Sequence, residues 1–280
     1  MQIVSSLREL RHVLLSWREA GDSVAFVPTM GALHAGHMAL VDAARTYAKR
    51  SIVSIFVNPT QFAPTEDLAT YPRQPEADRK MLADAGCDLL YMPEADEMYG
   101  EGFATQIDPG PLAKVLEGEF RPHFFYGVAT VVVKLLLQIM PDIAFFGEKD
   151  FQQLTVVRHV VRDLNIPIHI AGIRTVRDQD GLALSSRNAY LSKEERQKAL
   201  ALPQSLADTA LAIAGGGNIQ EALKAGIEKM KTAGFEVDYL RLTDAETLEP
   251  IDAVKRPARL LAAVRIGKTR LIDNIAVDKS

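Results

Sequence analysis

The sequence predicts an α/β protein. A Rossmann-like, doubly wound parallel sheet occupies residues 1–175, and a smaller α+β domain with an antiparallel sheet occupies residues 176–280. Three observations lead there. Short apolar or β-branched runs alternate with helix-period segments through the first two-thirds of the chain, and repeated β-α units imply a mostly parallel sheet covered on both faces. After about Thr175 this alternation stops, and two helix-period segments come before three strand-like runs. The last two of those runs flank the tight turn Gly267-Lys268-Thr269-Arg270, which is antiparallel hairpin grammar.

The elements follow in order. Ser6–Ala20 carries Leu7, Leu10, Leu14 and Leu15 at helical spacing. Val24–Val27 reads as a buried strand, Gly36–Lys49 as a helix and Ile52–Val57 as a second strand. Glu76–Ala85 is a helix closed by Gly86, and Leu89–Met92 a third strand. Gly127–Ile139 is helical, Ile143–Phe146 a strand, Phe151–Leu164 a helix and Ile168–Ile173 a strand. In the smaller domain, Lys193–Ala214 and Gln220–Lys231 read as helices, separated by a loop at Gly215-Gly216-Gly217. Val237–Leu242, Arg259–Ile266 and Leu271–Val277 read as strands.

Composition narrows the class. A formal charge of −4 over 280 residues leaves no basic stripe for nucleic acid. Cys87 is the sole cysteine, so no intrachain disulfide forms and a reducing, cytoplasmic setting is expected. Residues 1–11 lack the apolar run of a signal peptide. The most apolar stretch, Val128–Phe146, is broken by Lys134, Gln138, Pro141 and Asp142, so no membrane span is expected.

In doubly wound sheets ligands sit beyond the carboxyl ends of the strands. Polar clusters occur at such places. After the first core strand comes Pro28-Thr29-Met30-Gly31-Ala32-Leu33-His34-Ala35-Gly36-His37. Its two histidines share one side of a helix's first turn, where free N–H groups favour phosphate. A zinc-hydrolase pair would sit at i,i+4 with a Glu beside the first His, and this stretch has neither. After the second strand, Asn58 and Gln61 offer donors and acceptors for hydroxyls and a carboxylate. At the end of the Ile143–Phe146 strand, Lys149 is a compact charge for phosphate. Asp150 can cap the next helix, and Gln153 follows on that helix. Just past residue 175, Ser185, Ser186 and Arg187 suit a polyphosphate. No Gly-x-x-x-x-Gly-Lys-Ser/Thr loop is present.

His-x-Gly-His opening a helix after a strand resembles the signature of the nucleotidyltransferase superfamily. Further motifs make the resemblance specific: Phe26-Val27-Pro28-Thr29-Met30-Gly31, Phe56-Val57-Asn58-Pro59-x-Gln61-Phe62, Tyr71-Pro72-Arg73, Phe146-Gly147-Glu148-Lys149-Asp150, Asp180 through Asn188, and Leu271-Ile272-Asp273-Asn274. In this order they resemble the pantothenate synthetase family over nearly the whole chain.

That resemblance implies an amide-forming, AMP-releasing ligase that joins pantoate to β-alanine through a pantoyl adenylate, with ATP as substrate and Mg²⁺ required. It implies that His34, His37, Lys149, Ser185, Ser186 and Arg187 act on the ATP phosphates, with His37, His34, Lys149 and Arg187 central to catalysis. Met30 would touch ATP and the intermediate, and Gly147, Asp150 and Val176 would line the adenosine pocket. Gln61 and Gln153, beside Asn58, would hold pantoate, and Asp78 matches a carboxylate near the Mg²⁺. A solvated helix-face aspartate is the alternative at that position. A homodimer is implied too, and the apolar run Phe120–Val133 is the segment expected to form its two-fold patch. One stretch departs from the family pattern Arg-Pro-x-His-Phe-x-Gly-Val. Here Phe124 stands at the usual His, with His123 one place earlier. In an extended segment His123 would point away from that place, leaving Phe124 to pack with Phe125 and Tyr126. Two rivals stay open on sequence: another adenylyltransferase of the superfamily, and a nucleotide-binding protein without activity.

Overall fold

The computed structural model describes residues 1–63, 66 and 68–278. Its elements are β1 (Gln2–Val4), α1 (Leu7–Glu19), β2 (Val24–Thr29), α2 (Ala35–Tyr47), β3 (Arg50–Ile55), α3 (Pro75–Asp84), β4 (Leu89–Tyr91), α4 (Ala95–Met98), α5 (Glu117–Phe120), α6 (Phe124–Ile139), β5 (Ile143–Gly147), α7 (Phe151–Asp163) and β6 (His169–Ile173). Then come α8 (Lys193–Ala199), α9 (Ala201–Ala214), α10 (Ile219–Thr232), β7 (Glu236–Asp244), β8 (Ala258–Ile266) and β9 (Thr269–Val277). The chain forms two compact units. One is Met1–Glu148 with Gln153–Arg174, and the other is Lys149–Gln152 with Thr175–Ser280.

The first unit holds a six-stranded sheet in the order β1-β4-β3-β2-β5-β6, with every pairing parallel. Its central strands are buried on both faces. Phe26, Val27, Ile52, Val53, Leu89 and Leu90 have no exposed surface, which is why these strands read as continuous apolar runs. On one face, Leu40, Val41 and Ala44 of α2 and Leu82 of α3 pack against Val27, Val53 and Leu90. Strand order reverses direction at β2, between β3 and β5. In doubly wound sheets this reversal opens the crevice where ligands bind.

Three readings need correction. β1 went unread because Gln2-Ile3-Val4 is short and mostly exposed; it pairs only with β4, at the sheet edge. The segment before Gly127 is not extended. His123 has helical dihedrals (φ −91°, ψ −15°) and α6 begins at Phe124. The helix read over residues 193–214 is broken at Leu200, because Pro203 cannot donate to the carbonyl of Ala199.

Helix α6 lies against the 3-10 turn Pro59–Gln61. Gly127 makes this possible: a Cβ there would stand 2.7 Å from the carbonyl carbon of Thr60 and 3.0 Å from the Gln61 nitrogen. Most of the run expected to form a two-fold patch is interior. Phe125, Val128, Ala129, Val131, Val132 and Val133 are all buried within the single chain, so the run is core from Phe125 onward, while Phe120 is exposed.

In the second unit, β7, β8 and β9 form an antiparallel sheet. Ile266 pairs with Thr269, so Gly267-Lys268 is a two-residue hairpin turn, with Gly267 at φ 55°. Leu202 and Leu206 of α9 and Met230 of α10 pack on Leu240, Leu260 and Val264.

Candidate active site

In the first unit the site begins where β2 ends. Gly31 (φ 82°) and Ala32 (φ 50°) turn the chain through the left-handed region. The Asp78 carboxylate, on α3, anchors this turn by accepting from the Ala32 N–H at 2.9 Å and the Leu33 N–H at 2.8 Å. Thr29 Oγ1 donates to the Ser54 carbonyl at 2.7 Å and accepts from the Gly31 N–H.

This anchored turn delivers His34 to the N-cap of α2. His34 Nδ1 accepts from the Gly36 N–H at 3.1 Å, and His37 Nδ1 accepts from the His34 N–H at 3.3 Å. The pair forms a capping box built of imidazoles, with ring centroids 4.1 Å apart. Because each Nδ1 accepts a backbone proton, the neutral rings carry their own proton on Nε2. The two imidazoles thus sit together at the helix N-terminus, where its partial positive charge gathers.

The turn after β3 is a second polar group. Asn58 and Gln61 are both buried. Asn58 Nδ2 donates to Gln61 Oε1 at 2.9 Å and to the Gly127 carbonyl at 3.3 Å. Asn58 Oδ1 accepts from the Thr60 N–H, the Thr60 hydroxyl and the Tyr99 hydroxyl, the last at 2.7 Å. Arg121 braces the same turn. It donates to the Gln61 carbonyl at 3.1 Å and to both carboxylate oxygens of Glu66 at 2.6 and 2.8 Å. Its guanidinium lies 3.8 Å from the centre of the Phe124 ring. Phe124 is thus a platform for Arg121 as well as an edge-on neighbour of Phe125. Burial opposes ionisation of Glu66, but the Arg121 hydrogen bonds outweigh it and hold its carboxyl below the ordinary value of 4.5. Met30 follows β2 directly, Gly147 ends β5 and Gln153 lies in the first turn of α7, each partly exposed.

In the second unit, Lys149 Nζ stands 3.4 Å from Asp150 Oδ1, and the Lys149 carbonyl accepts from Asn274 Nδ2 at 2.8 Å. The Asn274 carboxamide oxygen accepts from Arg259 Nε at 2.6 Å. Val176 leads a short hairpin, with its carbonyl accepting from the Leu184 N–H. That hairpin delivers Ser185, whose Oγ accepts from the Arg187 N–H at 3.3 Å and caps the turn Ser186–Tyr190. Arg177 clamps the hairpin base by donating to both oxygens of buried Asp273, at 2.7 and 2.9 Å.

Asp78 does not suit the metal role. It is 1% exposed, so it is no solvated helix-face residue, and both its oxygens are engaged by backbone amides. Among the described residues no group of three or more His, Cys, Asp or Glu side chains is arranged to hold a metal. The supporting roles of Tyr99, Arg121, Glu66 and Gly127 were missed on sequence, because each is far in the chain from the group it supports.

The comparisons agree with this architecture. A sequence model of the family described as pantoate-beta-alanine ligase matches residues 2–276. A pantothenate synthetase of Rhizorhabdus wittichii is 57% identical over 279 residues, covering 99% of each chain. The crystal structure of pantothenate synthetase from Thermus thermophilus superimposes with a TM-score of 0.94 at 49% identity, covering 99% of each chain. The structure of the Francisella tularensis pantoate-beta-alanine ligase, complexed with beta-gamma ATP and beta-alanine, matches with a TM-score of 0.85 at 33% identity, covering 100% of this chain and 99% of that one. Taken with the capping histidines and the buried Asn58–Gln61 turn, these matches establish that the chain belongs to the pantoate–β-alanine ligase family.

Proposed function

We propose that the protein condenses pantoate with β-alanine, using ATP and releasing AMP and pyrophosphate through a pantoyl adenylate. The observation that carries this reading is the imidazole capping box of α2, which sets two histidines side by side at a helix N-terminus in a chain of this family. In the first step a pantoate carboxylate oxygen attacks the α-phosphorus and pyrophosphate leaves. Negative charge builds on the phosphate oxygens, so fixed donors and cations aimed at them lower the barrier. His34 and His37 supply neutral donors. Lys149, Ser185, Ser186 and Arg187 supply charge and further donors along the triphosphate. Met30 contacts ATP, and Gly147, Asp150 and Val176 receive the adenosine. Gln61 and Gln153 hold pantoate by its hydroxyls and carboxylate; Asn58, read on sequence as a third contact, has both its amide hydrogens and its oxygen engaged and instead orients Gln61.

In the second step the free amine of β-alanine attacks the acyl carbon. The new C–N bond forms, AMP leaves with the bonding pair and the amine proton goes to solvent. Alignment supplies most of this step's acceleration. Mg²⁺ would arrive with the ATP and offset the negative charge of its phosphates. Among the described residues no helix is long and apolar enough to cross a membrane. We place the enzyme in the cytoplasm, where its one thiol, Cys87, is buried and pushed up in pKa by burial. The active form in this proposal is a homodimer.

The test is a coupled assay of purified protein. AMP should appear only when ATP, Mg²⁺, pantoate and β-alanine are all present. Equal turnover without pantoate would refute the reading.

A further inference from the structure

A carboxamide is ambiguous as a binding group, because one end donates and the other accepts. Which end of Gln61 meets a ligand decides what chemistry that ligand must bring. Backbone groups of fixed polarity settle the question here. The Thr60 N–H can only donate, and it meets Asn58 Oδ1. The Gly127 carbonyl can only accept, and it meets Asn58 Nδ2. The Asn58 amide is therefore fixed in one orientation, with its N–H also donating to Gln61 Oε1. Gln61 has its oxygen committed inward, so its Nε2–H₂ end is the one available for recognition.

Tyr99 closes the chain of donors. At 2.7 Å its hydroxyl makes the shortest of the three bonds to Asn58 Oδ1. It sits at the C-cap of α4, with its ring against Phe56 and Phe103 at 6.1 and 5.1 Å, so the hydroxyl is held by packing on either side. Burial raises its pKa, which keeps the phenol protonated and able to donate.

We propose that Tyr99 is a positioning residue which, through Asn58, locks the Gln61 carboxamide with its N–H₂ end toward pantoate, and so selects a substrate that presents an acceptor oxygen there. The inference rests on Gln61 contacting pantoate. Tyr99 itself touches no reactant. It acts by polarising and fixing Asn58, whose donation to Gln61 is strengthened when its own oxygen accepts a proton.

The experiment measures KM for pantoate and for ATP in Tyr99→Phe, Gln61→Ala, the double variant and Gln61→Glu, with melting temperatures alongside. Tyr99→Phe should raise KM for pantoate about five- to tenfold and leave KM for ATP within about twofold, as expected for one lost bond in a recognition chain. In the Gln61→Ala background the same change should add nothing further to KM for pantoate, because the group it positions is gone. Gln61→Glu keeps the acceptor and removes the donors, so it should bind pantoate no better than Gln61→Ala. An unchanged pantoate KM in Tyr99→Phe, an effect that persists undiminished in the double variant, or wild-type pantoate binding by Gln61→Glu would each overturn the inference. If Gln61→Ala itself left pantoate binding intact, the substrate assignment of Gln61 would fall, and this inference with it.

Discussion

Asp78 shows how one residue can be chemically legible and still be assigned the wrong task. The family resemblance implied for it the role of a carboxylate near the Mg²⁺. Its oxygens instead accept the N–H groups of Ala32 and Leu33, and so hold the left-handed turn that leads to His34. Asp78→Ala should therefore destabilise the fold by about 1–3 kcal/mol for each buried donor that loses its acceptor. It should also raise KM for ATP by disturbing the histidine cap, while the Mg²⁺ concentration that gives half the maximal rate stays at the wild-type value. Urea melts and a Mg²⁺ titration at saturating ATP check this, and a large shift in the Mg²⁺ midpoint would return Asp78 to the metal. The local caps at His34 and Ser185 were readable as short motifs because their partners lie within a few positions. Tyr99 was not, since its partner Asn58 is 41 residues away and nothing local in either segment announces the contact.

Among the elements, the turn after β3 and the start of α6 depend on each other. Arg121 spans them, pairing with Glu66 and with the Gln61 carbonyl. The folded-state pKa of Glu66 lies below its ordinary 4.5, so the stability the pair contributes is complete above that value and is lost as pH falls through the lowered one. Wild type should thus exceed Glu66→Gln by a constant margin from about pH 7 down to about pH 5, and the margin should shrink in stronger acid. Chemical denaturation across this range measures it, and a margin unchanged at about pH 3 would contradict the pairing. Periodicity gave the existence and type of the long helices and the buried strands. It missed β1 because three edge residues carry no pattern. It also joined α8 to α9, because an apolar repeat outlasts the lost hydrogen bond at Pro203.

For the whole molecule, the expected dimer has to be reconsidered as surface. Most of the apolar run Phe120–Val133 fills the interior of one chain, so its hydrophobicity is already accounted for by folding. A two-fold contact in the proposed homodimer then falls to exposed apolar side chains such as Phe120 and Leu137 rather than to the buried part of the run. Light scattering at micromolar concentration should give twice the 30.8 kDa chain mass. Individual replacement by Glu of exposed apolar residues such as Leu137 should then identify the face, and a monomeric mass for the wild type would remove the dimer from the proposal. The switch from a parallel to an antiparallel sheet was readable from the change in pattern after Thr175. The transfer of Lys149–Gln152 to the second unit was not, because it depends on Asn274 and Arg259, more than a hundred residues downstream.

The close approach of α6 to the turn at Thr60 also has a genetic consequence. Every change at the first or second base of a glycine codon installs a side chain or a stop, whereas every change at the third base is silent. With the Thr60 carbonyl carbon 2.7 Å from where a Cβ would sit, even alanine at residue 127 would push on the backbone that carries Gln61. In a saturation library selected for growth without supplied pantothenate, codon 127 should tolerate only silent change. Adaptive variation in substrate use would have to enter the gene elsewhere.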